Sequence, residues 1–134
     1  MDAQSLIGTW RLVSIERSGV EPEERYPFGR QAIGNLTFTG DGYVSAILMS
    51  AEWASGGKEP EALRRPLRFL PICGTFDVIG NRVVVHLIVG SGTEWAGSDL
   101  VFAFRIEGNR LSMWGPLEEA ARGLPRCHLV WARA

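Results

Sequence analysis

Histidine and cysteine are scarce in this chain, two of each in 134 residues, and the scarcity narrows the chemistry open to it. His86 and His128 stand at no metal-ligand spacing from each other, from a cysteine or from a carboxylate, so no metal site is expected and no cofactor. The sequence has no Gly-X-Ser-X-Gly elbow, phosphate loop or dinucleotide fingerprint. Cys73 and Cys127 both fall in apolar, strand-like stretches and read as small buried residues; Cys127 and its neighbour His128 point to opposite faces of a strand, which argues against a thiol–imidazole pair.

Charge of one sign is lacking as well. Lys plus Arg number 14 against 15 Asp plus Glu, a net charge of -1, and such a surface has no electrostatic footprint for nucleic acid or for an anionic membrane. No apolar run approaches the roughly 20 residues that cross a bilayer. The opening Met1-Asp2-Ala3-Gln4-Ser5-Leu6-Ile7 puts an acid where a signal peptide carries cations, and a cytoplasmic location with both thiols reduced is the expectation. The length suits one domain, residues 1–134, able to bury a core without metal or disulfide support.

What the chain has in quantity is glycine, 16 residues, and tryptophan, 5 residues, a composition for tight turns around an aromatic interior. Residues 74–89 show the pattern most clearly: two β-branched and aromatic stretches flank Gly80-Asn81, a pair that accepts the backbone angles of a two-residue hairpin turn. Pairing Ile79 with Arg82 puts Phe76, Val78, Val83, Val85 and Leu87 on one face, and Thr75, Asp77, Val84 and His86 on the other. A second hairpin turns at Gly40-Asp41-Gly42, its three-residue loop pairing Thr39 with Tyr43 and directing Leu36, Phe38, Val44, Ala46 and Leu48 inward. A third turns at Gly108-Asn109, with Phe102, Phe104, Ile106, Leu111 and Met113 inward and Glu107 opposite Arg110. In the first strand Trp10 and Leu12 alternate against Arg11, Val13 and Ile15, and Cys127 begins the last strand.

Polar, Gly- and Pro-rich stretches separate these units. Residues 18–33 read as a solvated loop, and residues 51–68 as an interruption with a short helix at 59–65, a candidate lid carrying Trp53 with Phe69 just beyond. The architecture that satisfies all of this is all-β: a single antiparallel β-barrel of about eight strands, closed so that no edge is exposed and with first and last strands adjacent.

Several stretches, in order along nearly the whole chain, resemble the bacterial and fungal lipocalin-like domain family: Leu6-Ile7-Gly8-Thr9-Trp10-Arg11-Leu12-Val13-Ser14, Phe38-Thr39-Gly40-Asp41-Gly42-Tyr43, Cys73-Gly74-Thr75-Phe76, Glu94-Trp95-Ala96-Gly97-Ser98-Asp99 and Leu129-Val130-Trp131. The resemblance implies a small lipocalin-like barrel with an internal cavity, and a late arginine, Arg133, packed across Trp10 as a structural element. It also marks a departure: where relatives often carry an inward His and an inward Arg, this chain has Val85 and Phe102, so a polar interior site does not carry over.

The function that follows is binding of a small hydrophobic molecule, with Phe38, Val44, Phe76, Val85, Phe102, Phe104, Met113 and Trp114 around it and Trp53, Phe69 and Trp95 at the mouth. Strict alternation sets Trp114 opposite to Met113. The alternative is a natural-product cyclase or isomerase that folds a polyketide or terpenoid-type substrate in the cavity, with Tyr43, His86 and Asp99 as polar assistants. The partner expected is thus a small hydrophobic molecule, with no nucleic acid and no membrane; the oligomeric state stays open, a homodimer being one option.

Overall fold

The computed structural model describes residues 3–17, 21–22, 25–50, 69–90, 97–116 and 126–134, Phe69 by its backbone alone. After one 3-10 turn at Ala3–Ser5 come eight strands: β1 (Gly8–Arg17), β2 (Ala32–Phe38), β3 (Tyr43–Ser50), β4 (Phe69–Ile79), β5 (Arg82–Gly90), β6 (Asp99–Glu107), β7 (Arg110–Gly115) and β8 (Cys127–Arg133). Each pairs antiparallel with the next and β8 returns to β1, closing the barrel. No helix among the described residues is long and apolar enough to cross a membrane. The short helix expected at 59–65 lies outside the described residues.

Strand alternation sorts the ends of the barrel. The β2–β3, β4–β5 and β6–β7 turns and both chain termini share one end, and the longer connections leave from the other, after residues 17, 50, 90 and 115. The turn end is sewn together by backbone bonds: Phe76 N–H donates to Gly42 C=O, Phe104 N–H to Asn81 C=O, Arg133 N–H to Asn109 C=O and Ala134 N–H to Thr9 C=O.

The three hairpins have the expected registers, with Ile79 opposite Arg82, Phe38 opposite Val44 and Glu107 opposite Arg110. Gly42, Gly80 and Gly108 take the positive φ angles these turns require. Glu107, however, is engaged along its own strand by Arg105 instead of by Arg110 across the ladder.

Two bulges depart from simple alternation. Between Leu12 and Ser14 the pairing of β1 with β8 skips Val13, which is left exposed. One extra residue reverses the parity of everything beyond it, so Ile15, expected outside with Val13, points inward and is buried. In β5 the ladder to β4 skips Ile88, and opposite it Gly74 comes so near the backbone that a Cβ there would lie 2.0 Å from the His86 carbonyl oxygen. Only glycine fits that crossing.

Candidate ligand-binding site

Midway along the barrel, inward side chains from all eight strands are apolar and leave a cavity of about 70 Å³. Ile15 of β1, Leu36 and Phe38 of β2, Val44, Ala46 and Leu48 of β3, Leu70 and Ile72 of β4 and Val85 of β5 line one side. Leu100 and Phe102 of β6, Met113 and Gly115 of β7 with Pro116 after it, and Cys127, Leu129 and Trp131 of β8 line the rest, and Phe28 from the β1–β2 connection joins them. Among the described residues no lining side chain is charged. Its polar atoms are the Cys127 thiol, whose pKa burial pushes up to about 12, and the Trp131 indole N–H, which is buried without a hydrogen-bond partner.

Of the side chains expected around a ligand, the barrel brings Phe38, Val44, Val85, Phe102 and Met113 together on this cavity. Phe76 and Phe104 are buried but stand away from it; Phe76 packs edge-on against Phe38, ring centroids 4.8 Å apart and planes at 72°, and borders a surface depression at the turn end with Ile7 and Val78. Trp114 is a correction: alternation against the inward Met113 puts it on the outer surface, 38% exposed, its ring stacked on His128 at 4.8 Å. Trp53 and Trp95 lie outside the described residues, and Phe69 is placed in β4 by its backbone.

Nor do the polar assistants face the cavity. Tyr43, His86 and Asp99 each precede or follow an inward residue, Val44, Val85 and Leu100, so the pleat turns them to solvent. On that outer face His86 bridges three strands, with Nδ1 2.7 Å from Asp99 Oδ1 of β6 and Nε2 2.8 Å from Asp77 Oδ2 of β4. These hydrogen bonds, that to Asp99 first and that to Asp77 second, raise its pKa above the ordinary imidazole value. Among the described residues no group of three or more His, Cys, Asp or Glu side chains could hold a metal ion.

The turn end is sealed. Trp10 is fully buried and donates its indole N–H to Leu6 C=O at 2.9 Å. The Arg133 guanidinium lies 4.0 Å over the Trp10 ring, while its Nη1 donates to Ile7 C=O and its Nη2 to Ser5 C=O, each at 2.7 Å. Gly8 makes room for this: its φ is +128°, and a Cβ there would sit 2.6 Å from Arg133 Nη1. The Gly8-X-Trp10 motif and Arg133, 123 positions after that Trp, are therefore one structural unit, and the sequence matches the lipocalin-like domain family over residues 7–134.

The chain belongs to the lipocalin-like domain family. Among solved structures this lipocalin-like domain is similar to fatty-acid-binding protein 1 of Echinococcus granulosus, at 16% identity and a TM-score of 0.47 over 98% of each chain. It is also similar to the wild-type fluorescent protein UnaG, at 12% identity and a TM-score of 0.46 over 98% of this chain and 99% of that one. No curated protein matches it.

Within the lipocalin-like domain, Val85 and Phe102, both expected to face inward, line the cavity and help to make it apolar. Sequence reasoning missed Ile15, Leu70, Ile72, Leu100, Gly115, Pro116, Cys127, Leu129 and Trp131 as lining residues, and above all Phe28. That Phe is the one Phe within residues 18–33, a stretch rich in Gly, Pro and charged residues, and no periodic pattern there announced its burial.

Proposed function

We propose that this lipocalin-like domain binds a small hydrophobic molecule inside its barrel. The observation that carries the reading is the cavity lining, assembled from all eight strands and without a charged side chain. Moving apolar surface from water into such surroundings gains about 25 cal/mol per Å², so a ligand that hides roughly 200 Å² gains about 5 kcal/mol before the costs of association. The space of about 70 Å³ is small beside the roughly 300 Å³ and upward of ordinary ligand sites, so part of the lining gives way on binding. Met113, unbranched and adaptable, is the side chain suited to do so.

The described lining offers two polar groups, the Trp131 indole N–H and the Cys127 thiol, and no acid or base, which favours binding over turnover. A cyclase or isomerase needs a group that polarises its substrate, and a thiol with a pKa of about 12 stays protonated near neutral pH.

The test is a cavity-filling variant. Ala46 lines the cavity, and Ala46→Leu adds three heavy atoms inside it. Titration with the neutral dye Nile red should show binding to the wild type and at least a tenfold weaker affinity for Ala46→Leu, about 1.4 kcal/mol, with the thermal midpoint nearly unchanged. Equal dye affinity in the two folded proteins would place the bound dye outside the barrel and end the reading.

A further inference from the structure

Beyond the Val13 bulge, the parity of β1 that brings Ile15 inward does the same for Arg17. Arg17 is registered opposite Cys127, and residues opposite each other in a ladder share a face; Cys127 lines the cavity, so Arg17 stands on the inner side of the barrel, one rung beyond Ile15 at the end away from the tight turns. Its Nε is buried and makes no hydrogen bond among the described residues. Among the described residues no carboxylate pairs with its guanidinium. The acid next to it, Glu16, faces outward and is held by Arg25 through Nε at 3.3 Å and Nη2 at 3.0 Å. Cys127 feels the positive charge of Arg17, but its buried thiol remains neutral and cannot balance it.

A half-buried cation with an orphaned donor, set at the rim of an apolar cavity, is half of a charge-assisted pair. We propose that Arg17 is the head-group site for a carboxylate on an amphipathic ligand whose apolar body lies in the cavity, an assignment that rests on the binding reading above. The planar guanidinium offers parallel N–H donors that match the two oxygens of a carboxylate. A single positive charge balances a monoanion, whereas a dianionic phosphate would leave one charge unpaired beside an apolar interior. The ligand is thus oriented, head at Arg17 and body along Ile15 and Leu129 toward Phe102.

The experiment is displacement of Nile red from the wild type and from Arg17→Gln by two probes of equal chain length, octanoate and 1-octanol, near pH 7. The expected result is that octanoate displaces the dye from the wild type at a roughly tenfold lower concentration than 1-octanol. Arg17→Gln should remove that advantage, weakening octanoate about tenfold while leaving 1-octanol and the dye as they were. If the dye binds but octanoate has no advantage, or keeps it in Arg17→Gln, the assignment of Arg17 is wrong and the apolar-cavity reading stands. If neither the dye nor either probe binds the folded wild type, the apolar-cavity reading fails and takes the assignment with it.

Discussion

Arg133 and Arg17 stand on the inner side of the same barrel at opposite ends, and they differ in what surrounds them. At the turn end Arg133 stacks on Trp10 and directs two nitrogens at the Ser5 and Ile7 carbonyls. At the other end Arg17 has a buried Nε with no acceptor and faces a neutral thiol. The first arrangement is complete in itself and closes the barrel; the second is completed only by something added. A fold can hold one arginine as a rivet and keep another poised, because cooperative stability at one end allows incomplete bonding at the other.

Removing the rivet should give the largest effect. Trp10→Ala deletes a fully buried indole together with the platform under Arg133, and is expected to cost about 3–5 kcal/mol in urea unfolding. A loss below about 1 kcal/mol would show that the turn end is not where stability is concentrated.

The same substitution made at each arginine sharpens the contrast. Arg133→Gln leaves two carbonyls without their cationic donor and should lower stability by about 1.5–3 kcal/mol. Arg17→Gln removes a group that has no acceptor for its Nε, so unfolding should change by no more than about 0.5 kcal/mol in either direction. Equal losses at the two sites, measured by urea unfolding without ligand, would mean that Arg17 is as fully engaged as Arg133.

The unequal legibility of the two ends in the sequence has a physical cause. The turn end was readable because its hairpins are local and strongly patterned, with Gly-Asn pairs that demand particular turns and clean alternation, while the packing of Arg133 on Trp10 came from the resemblance to the lipocalin-like family and not from spacing. The other end depends on the Val13 bulge, which no residue in β1 announces, since Leu12, Val13, Ser14 and Ile15 would suit an unbroken strand equally well. Closure of β1 against both β2 and β8 decides where the extra residue goes, and that decision moves Ile15 and Arg17 from one face to the other. Phe28 was hidden for a related reason: its burial comes from the barrel beneath it and not from any pattern in its own segment. Trp114 and Val85 show the opposite case, since their positions follow from alternation alone.

A smaller contrast lies between the two faces of β5, where Val85 lines the cavity and its neighbour His86 ties β5 to β4 and β6 from outside. Both ring nitrogens can donate to Asp77 and Asp99 only when the imidazole is protonated, and the pair of carboxylates raises its pKa above 6.5. A raised folded-state pKa means that the bridge contributes fully below the ordinary imidazole value and that the contribution is lost as pH rises through the folded value. The group is 40% exposed, so screening by water and salt holds the effect to about 0.2–1 kcal/mol. Urea unfolding of the wild type and of His86→Gln, compared from about pH 5.5 to about pH 8.5, isolates it, because titrations common to both proteins cancel in the difference. The wild type should be the more stable at the acidic end, and its margin should shrink as pH rises, more visibly at low salt than at high. A margin that stays flat across this window would leave the bridge without energetic weight, and β5 would then be held by its ladders and its apolar face alone.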